Sequence, residues 1–277
     1  LGMKPIPLVQ CLGHAETALT PAKYAPLREL PHRSDCFNPL AEGSRELVKQ
    51  MVDDVLKRTP RISHFHLGGD EAYAFGKHPD TKAYIEKHGK GALYLHYVGP
   101  LLEHLATRRI RPILWHDMMV EWDGDALTQL GTQADLCGWI YNGHPDTIDN
   151  PTFNAKAYER FHAHGIPLWG ATAFKGAGEH DDDLTDIEAR QLNAMAWIEL
   201  AQRFDMKGVI ATGWSRFRTH RGQVEPIDAA LDSLVNVAVI LHDGEPPEGG
   251  IAACRDALAS VGEGERFQPC YDAMLAM

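Results

Sequence analysis

Short runs of apolar residues alternate along the chain with longer segments in which apolar positions recur every three or four residues. The short runs are typical of buried strands, and the longer segments have the period of amphipathic helices. A strand followed by a helix, repeated, predicts a parallel sheet, because consecutive parallel strands need a crossover connection. We predict strands at Pro5–Gln10, Ile62–Leu67, Pro112–Leu114, Leu136–Ile140, Ile166–Phe174 and Gly208–Thr212.

The longer segments between these runs predict helices. Asn38 and Pro39 are suited to the cap and first turn of the earliest one. Gly99-Pro100 should kink or split the next helix, and Thr185-Asp186-Ile187-Glu188 is suited to a capping box ahead of the one after it. The predicted helices cover Ser44–Arg58, Gly91–Arg108, Thr185–Phe204 and Pro226–Leu241.

Polar or glycine-rich clusters follow several of the predicted strands, at the face where α/β barrels place their chemistry. The length of 277 residues suits one (β/α)₈ barrel or two smaller domains. No Ser/Gly linker or low-complexity tract divides the sequence. We therefore expect one α/β domain over residues 1–277.

Charge and cysteine content exclude several classes of protein. The 27 Lys and Arg against 38 Asp and Glu give a net charge of −11, which argues against nucleic-acid or anionic-membrane binding. No apolar run approaches the roughly 20 residues of a membrane span. Because the five cysteines are odd in number and lack a C-x-x-C pair, we expect reduced thiols and a cytoplasmic protein.

The most informative motif is the run from His64 to Glu71, which reads His-Phe-His-Leu-Gly-Gly-Asp-Glu. Two glycines after a strand allow a tight turn and a close approach of a ligand to the backbone. Asp70 and Glu71 then follow at the end of the predicted strand.

This sequence resembles glycoside hydrolase family 20, the β-N-acetylhexosaminidases, whose signature His-x-Gly-Gly-Asp-Glu matches residues 66–71. The resemblance extends over nearly the whole chain and is strongest to the hexosaminidase D-like branch. It is carried by Gly13-His14, Ile113-Leu114-Trp115-His116-Asp117-Met118-Met119, Trp139, Ala173-Phe174-Lys175-Gly176-Ala177 and Thr212-Gly213-Trp214-Ser215-Arg216.

The resemblance implies a TIM (β/α)₈ barrel, no cofactor or metal, and a retaining, substrate-assisted mechanism. Glu71 would protonate the glycosidic oxygen while the substrate's own acetamido oxygen attacks, and Asp70 would orient that acetamido group. The substrates would be terminal N-acetylglucosaminides or N-acetylgalactosaminides of glycans or glycoconjugates, and a homodimer is left open. The implied substrate-binding residues are His14, His66, Trp115, Asp117, Trp139, Tyr141, Lys175, Trp214 and Arg216.

Two positions depart from the family pattern. Where the family has a Tyr-x-Asp after the seventh strand, this chain has Ala173-Phe174-Lys175-Gly176-Ala177. Either another hydroxyl, with Tyr141 the nearest candidate, holds the acetamido oxygen, or Lys175 belongs to the pocket. Arg216 stands where the family has an acid after the last strand. Contacts to the 4- and 6-hydroxyls should therefore differ, which is compatible with a preference for N-acetylgalactosamine.

The position of the signature also departs from the family. It follows the fourth barrel strand there, but only one predicted strand, Pro5–Gln10, precedes it here. We therefore expect a barrel that lacks its first two strands, with strands three to eight and a C-terminal helical tail over 1–277. The chain opens on Leu1, so the natural start lies elsewhere under this interpretation.

Two other classes compete with this interpretation. His64-x-His66 places two imidazoles on one side of a strand, and His116-Asp117 could add ligands, as in a metal-dependent amidohydrolase-type barrel. A non-catalytic sugar-binding fragment is the second alternative. Under the favoured interpretation, we expect burial and the Asp70 charge to raise the pKa of Glu71.

Overall fold

The computed structural model describes residues 2–177, 185–214 and 227–261. The chain divides into two compact units. The first comprises Leu1–Gly138 and Ala157–Leu168, and the second comprises Trp139–Lys156 and Trp169–Met277. The expectation of a single catalytic domain over 1–277 stays a prediction.

Parallel strands form the centre of the first unit. Strand β1 spans His64–His66, β2 spans Arg111–Trp115 and β3 spans Asp135–Trp139. Strand β2 pairs in parallel with β1 and also with β3. All three strands lie in segments where the apolar runs predicted them, and their side chains are almost entirely buried.

The segment predicted as a first strand, Pro5–Gln10, forms no regular strand, although it does run alongside β1. The His66 N–H donates to the Pro7 carbonyl at 2.8 Å, and the Val9 N–H donates to the His66 carbonyl at 3.0 Å. Pro5 and Pro7 have no N–H to donate, so a continuous ladder cannot form. The segment nevertheless carries the chain into the loop that holds His14.

Helix α4, Lys90–Ala106, is the central support of the first unit and packs against its neighbours on both sides as well as against β2. Its buried face includes Tyr94 and Tyr97, whose hydroxyls donate to the carbonyls of Gly69 and Cys11 at 3.4 and 3.1 Å. The strand-end loops therefore rest on this helix. The helices from the start of the chain to residue 163 are α1 Glu16–Leu19, α2 Ser44–Leu56, α3 Pro79–His88, α4 Lys90–Ala106, α5 Gly124–Gln133 and α6 Ala155–Ala163.

Pro100 does not split α4, although a kink or a split was predicted there, and the helix runs unbroken from Lys90 to Ala106. A proline at this position leaves the carbonyl of His96 without its helical donor. The guanidinium of Arg45, on α2, donates to the carbonyls of His96 at 2.8 Å and Tyr97 at 3.0 Å. An external donor thus satisfies the freed carbonyl, and the helix continues to Ala106.

Two helix starts differ from the predictions. Helix α2 begins at Ser44 with Gly43 as its cap, whereas Asn38 accepts the N–H of Leu40 in a local turn. The helix predicted from Thr185 begins at Ile187, because the carboxylate of Asp186 caps it by accepting the Ala189 N–H at 3.0 Å.

The second unit repeats the strand–helix order. Strand β4 spans Leu168–Lys175 and pairs in parallel with β5, Val209–Gly213, with an irregularity between Ala173 and Lys175. Helices α7 (Ile187–Arg203), α8 (Leu231–Asp243) and α9 (Gly250–Ala259) complete it, with α8 packed against α7, α9 and β5. A short 3₁₀ turn at Ile227–Ala230 precedes α8, where one continuous helix was predicted. Pro226, its predicted start, lies outside the described residues.

The fold class is therefore α/β, with parallel strand pairs and intervening helices, as the alternation of apolar runs predicted. Helices α1, α3, α5, α6 and α9 were not predicted from the sequence, because each has at most 10 residues and so shows little periodicity. Across the described ranges, no helix combines the length and the apolar character that crossing a membrane requires.

Candidate active site

A tight turn after β1 places the two adjacent acids. Gly69 adopts a φ of +85°, and a Cβ there would overlap the hydroxyl of Tyr94. Gln10 holds this turn from the neighbouring segment, since its amide oxygen accepts the Gly69 N–H at 3.0 Å and its amide nitrogen donates to Asp70 Oδ1 at 3.1 Å. Asp70 is buried as a result, with an exposed fraction of 7%.

Glu71 is turned back toward Asp70 by an unusual backbone conformation. Its φ of +45° lies in the left-handed region, which non-glycine residues seldom occupy. Asp117, two residues after β2, stabilises this conformation by accepting the Glu71 N–H on Oδ2 at 2.9 Å. Consecutive side chains of an extended strand point to opposite faces, so the positive φ allows the two carboxylates to face the same point.

That point is occupied by the imidazole of His14. Its Nε2 lies 3.4 Å from Asp70 Oδ2 and 3.2 Å from Glu71 Oε2. His14 also has a positive φ, +50°, and follows Gly13, at which a Cβ would overlap the Asp70 carbonyl oxygen. The loop that carries His14 is therefore packed directly against the backbone of the acids. We call His14, Asp70, Glu71 and Asp117 the acidic cluster.

The charges of the acidic cluster determine its protonation. Hydrogen bonds to Asp70 and Glu71 raise the pKa of His14 from 6.5 to about 10, so this imidazole is a cation at neutral pH. The same hydrogen bond from His14 lowers the pKa of Glu71, with a further contribution from the hydroxyl of Tyr73. The expectation of a raised Glu71 pKa is wrong for this structure. A cation in direct contact outweighs partial burial.

His66 and Trp115 lie beneath the acidic cluster. Burial lowers the pKa of His66 to about 4, so it is neutral, and its Nδ1 accepts the Gly68 N–H at 2.9 Å. The Trp115 indole packs over this imidazole with ring centroids 4.4 Å apart and is only 4% exposed. In the described structure, both side chains support the turn from inside.

Five other predicted positions belong to the second unit, and four of them are among the described residues. Trp139, Tyr141, Trp214 and the neighbouring Phe153 form an aromatic cluster, with Tyr141 between the two indoles at centroid distances of 5.5 Å to Trp139 and 6.0 Å to Trp214. Trp214 is 39% exposed. Lys175 is buried, and its Nζ donates to the Trp214 carbonyl at 2.6 Å. Arg216 lies outside the described residues.

Gln10 and Tyr73 also belong to the acidic cluster's surroundings, and neither was predicted. The hydroxyl of Tyr73 donates to Glu71 Oε1 at 2.7 Å. Gln10 carried one usable signal, its place at the end of an apolar run. Tyr73 carried none, because its role depends on how the chain turns after Glu71.

The ligand set of the metal-hydrolase alternative is not brought together. Among the described residues, two groups have acidic and imidazole atoms close enough to share a cation: His14 with Asp70 and Glu71, and His144 with Asp146 and Glu199. Neither includes His64, His66, His116 or Asp117. In the first group the imidazolium itself accounts for the closeness of the two carboxylates, and in the second Arg203 neutralises Asp146 at 2.9 Å.

Parallel strand–helix units with functional side chains at a strand end are the arrangement of α/β-barrel enzymes, and paired acids there are compatible with a glycoside hydrolase. Comparison with known proteins specifies the family. The family model described as "Glycosyl hydrolase family 20, catalytic domain" matches residues 14–148 of this chain. Hexosaminidase D from Bos taurus is 30% identical over 251 residues, and hexosaminidase D from Homo sapiens is 29% identical over 252 residues, each covering 87% of this chain. This chain belongs to glycoside hydrolase family 20 and is hexosaminidase D-like.

The chain spans 71% of the bovine protein's length and 51% of the human protein's length. Among solved structures, the β-N-acetylhexosaminidase from Bacteroides fragilis superimposes with a TM-score of 0.53 at 20% identity, over 77% of this chain and 43% of that one. Its likeness supports the fold alone. The strand–helix order is accordingly that of part of a TIM (β/α)₈ barrel.

Proposed function

We propose that this chain carries a β-N-acetylhexosaminidase site that removes terminal N-acetylglucosamine or N-acetylgalactosamine with retention of configuration. The observation that supports it most strongly is the convergence of Asp70 and Glu71 on His14, with one acid buried and the other half-buried. Two carboxylates at one point fit a reaction in which neighbouring groups of one sugar are addressed together. Family membership supports the same activity.

In this proposal Asp70 and Glu71 divide the work. Asp70 accepts the acetamido N–H, which orients the acetamido oxygen toward the anomeric carbon and stabilises the positive oxazolinium that forms. Glu71 protonates the glycosidic oxygen and later takes a proton from the water that opens the oxazolinium. A well-oriented internal nucleophile can remove about 7–11 kcal/mol of the barrier, so Asp70's main contribution is orientation.

The acid step requires a proton on Glu71, whereas in the free site it lies on His14. The 3.2 Å contact between His14 Nε2 and Glu71 Oε2 offers a direct route for that proton. We propose that substrate entry, by screening the pair from water and occupying Asp70, shifts the shared proton toward Glu71. His14 is then both the source of the proton and the residue that recovers it.

The aromatic cluster supplies the predicted sugar-binding surfaces of the second unit. Trp214 exposes part of its indole, and Tyr141 packs between Trp214 and Trp139. We propose Trp139, Tyr141 and Trp214 as sugar-contacting residues, with Lys175 placed to hold the backbone of Trp214. The preference between N-acetylglucosamine and N-acetylgalactosamine stays a prediction that depends on Arg216.

Hydrolysis of aryl β-N-acetylhexosaminides by the protein and its Asp70→Asn and Glu71→Gln variants tests the proposal. We expect both variants to lose at least about a hundredfold in kcat/KM, a typical contribution of acid–base catalysis. Glu71→Gln should recover most with good leaving groups, because these need least protonation. Glu86→Gln, an exposed acid on α3, is the matched control. Unchanged rates in both active-site variants would refute the assignment.

A further inference from the structure

Tyr73 is an aromatic side chain at the acidic cluster that neither the resemblance nor the proposed roles include. Tyr73 is 65% exposed, although its hydroxyl donates to Glu71 Oε1 at 2.7 Å. Its backbone N–H also donates to the Glu71 carbonyl at 2.7 Å. Tyr73 is thus attached to Glu71 at both ends while its ring faces solvent.

The carboxylate of Glu71 is held at both of its oxygens. Tyr73 donates to Oε1, and His14 contacts Oε2 at 3.2 Å. If Oε2 is the oxygen that exchanges a proton with His14 and the substrate, Oε1 keeps the phenol as a permanent donor. Burial and the hydrogen bond to Glu71 raise the pKa of Tyr73, so the phenol remains a donor throughout the working pH range.

The position of Glu71 also determines where the leaving group lies. A general acid must be within about 3 Å of the oxygen that it protonates, which here is the glycosidic oxygen. The first group of the aglycone is attached to that oxygen. It therefore lies next to the same carboxylate that Tyr73 contacts, and the exposed phenol ring is one hydrogen bond away.

We propose that Tyr73 is a positioning residue for Glu71 and that its exposed ring is the surface against which the aglycone packs. This inference rests on the proposed hydrolase function and names a determinant of its leaving-group specificity. The chemistry favours an aglycone with a flat or apolar face, such as a second sugar ring, because aromatic faces bind such surfaces. A small aglycone would gain nothing from the ring.

Removal of the hydroxyl should change the pH profile in a defined direction. Glu71 faces the cation of His14, the carboxylates of Asp70 and Asp117, and the hydroxyl of Tyr73. Of these, Tyr73→Phe removes a donor to the charged form of Glu71, which raises the Glu71 pKa. The alkaline limb of kcat reports the substrate-bound state, in which the proton lies on Glu71, and it should move to higher pH by about one unit.

The experiment compares Tyr73→Phe and Tyr73→Leu on two substrates that share the N-acetylhexosaminyl group. One is a β-linked disaccharide with a sugar aglycone, and the other is the glycosyl fluoride, whose leaving group offers no surface and needs little protonation. We expect Tyr73→Phe to keep the disaccharide KM within about twofold while moving the alkaline limb upward. We expect Tyr73→Leu to raise the disaccharide KM about five- to tenfold and the fluoride KM by less than twofold. Tyr84→Phe on α3 is the matched control.

The possible results separate the inference from the function beneath it. If the protein hydrolyses both substrates but Tyr73→Leu leaves the disaccharide KM unchanged, or raises both KM values equally, the role of Tyr73 is overturned and the hydrolase assignment stands. An alkaline limb that stays in place in Tyr73→Phe overturns the positioning role. Absence of turnover of either substrate by the unmodified protein overturns the proposed function and the inference together.

Discussion

The ion pairs of His14 allow a quantitative test of the acidic cluster through stability. The perturbation is His14→Asn, which removes the charge but keeps a residue that tolerates the positive φ of +50°. Asp70 and Glu71 raise the pKa of His14 from 6.5 to about 10 in the folded protein. The imidazolium therefore stabilises the folded state, and its removal should destabilise it.

The magnitude follows from the pKa change and the exposure of the side chain. At about 1.4 kcal/mol per pH unit, the whole change would correspond to about 5 kcal/mol. Because 45% of the His14 side chain is exposed, solvent screens both pairs. We discount the value accordingly and expect a loss of about 1–2 kcal/mol in the free energy of unfolding.

The effect should depend on pH in one direction. A raised histidine pKa stabilises the folded state fully below the unfolded value, near 6.5, and the contribution disappears as pH rises through about 10. The lowered Glu71 pKa also stabilises the folded state at pH values above the unfolded Glu71 pKa. This stabilisation is lost as the pH falls through the folded Glu71 pKa. Urea unfolding of the protein and of His14→Asn at pH 6, 8 and 10 measures the difference.

We expect the stability difference to be largest at pH 6, smaller at pH 8 and close to zero at pH 10. His32→Asn, at an exposed position in the same unit, is the control and should show little difference at any of the three values. A His14→Asn difference that is equal at all three pH values, or largest at pH 10, would refute the ion-pair argument. Such a result would mean that His14 acts through packing alone.

The remaining predictions concern the support of the site. Gly13→Ala should abolish most activity and cost about 1–3 kcal/mol of stability, because its Cβ would overlap the Asp70 carbonyl. Gly99→Ala, in open space on α4, is the control and should be neutral or slightly stabilising in the same urea titration. Retained activity in Gly13→Ala would show that the loop can move. Arg45→Met should lower the free energy of unfolding by about 1–2 kcal/mol, because the His96 carbonyl loses its donor. Adding Pro100→Ala should recover part of this loss, because the new backbone N–H can donate to that carbonyl. Additive losses in the double variant would argue against the link between Arg45 and Pro100.

Much of the fold was predictable because strands and helices depend on local patterns of apolar and polar residues. The runs around β1 to β5 each carry a buried apolar stretch, and in the described structure the acids follow β1 as predicted. The errors arose where a distant residue changed the local preference. Pro100 should break α4, but Arg45, 55 positions earlier in sequence, supplies the missing donor. Pattern analysis of a single segment contains no information about such a partner.

The chemistry of the acidic cluster was predictable in kind and not in detail. The motif indicates two acids at a strand end, and a neighbouring carboxylate is a sound reason to expect a raised Glu71 pKa. The opposite direction results from His14, whose Nε2 contacts both acids and supplies a cation at short range. Because Coulomb interactions depend on distance, the sign of the shift follows from which charge is nearest, and that required the three-dimensional arrangement.

The conformation of Glu71 explains why such an arrangement exists at all. A glutamate at a φ of +45° has no local sequence signal, costs of order 1–3 kcal/mol, and persists only where its surroundings enforce it. Asp117 accepts its N–H, Tyr73 donates to its carbonyl and its carboxylate, and His14 contacts the remaining oxygen. Four contacts from three residues thus hold one strained residue. Glu71 is the residue proposed to move the proton. Because so many contacts maintain its strained backbone, we infer that the fold is organised to place this carboxylate.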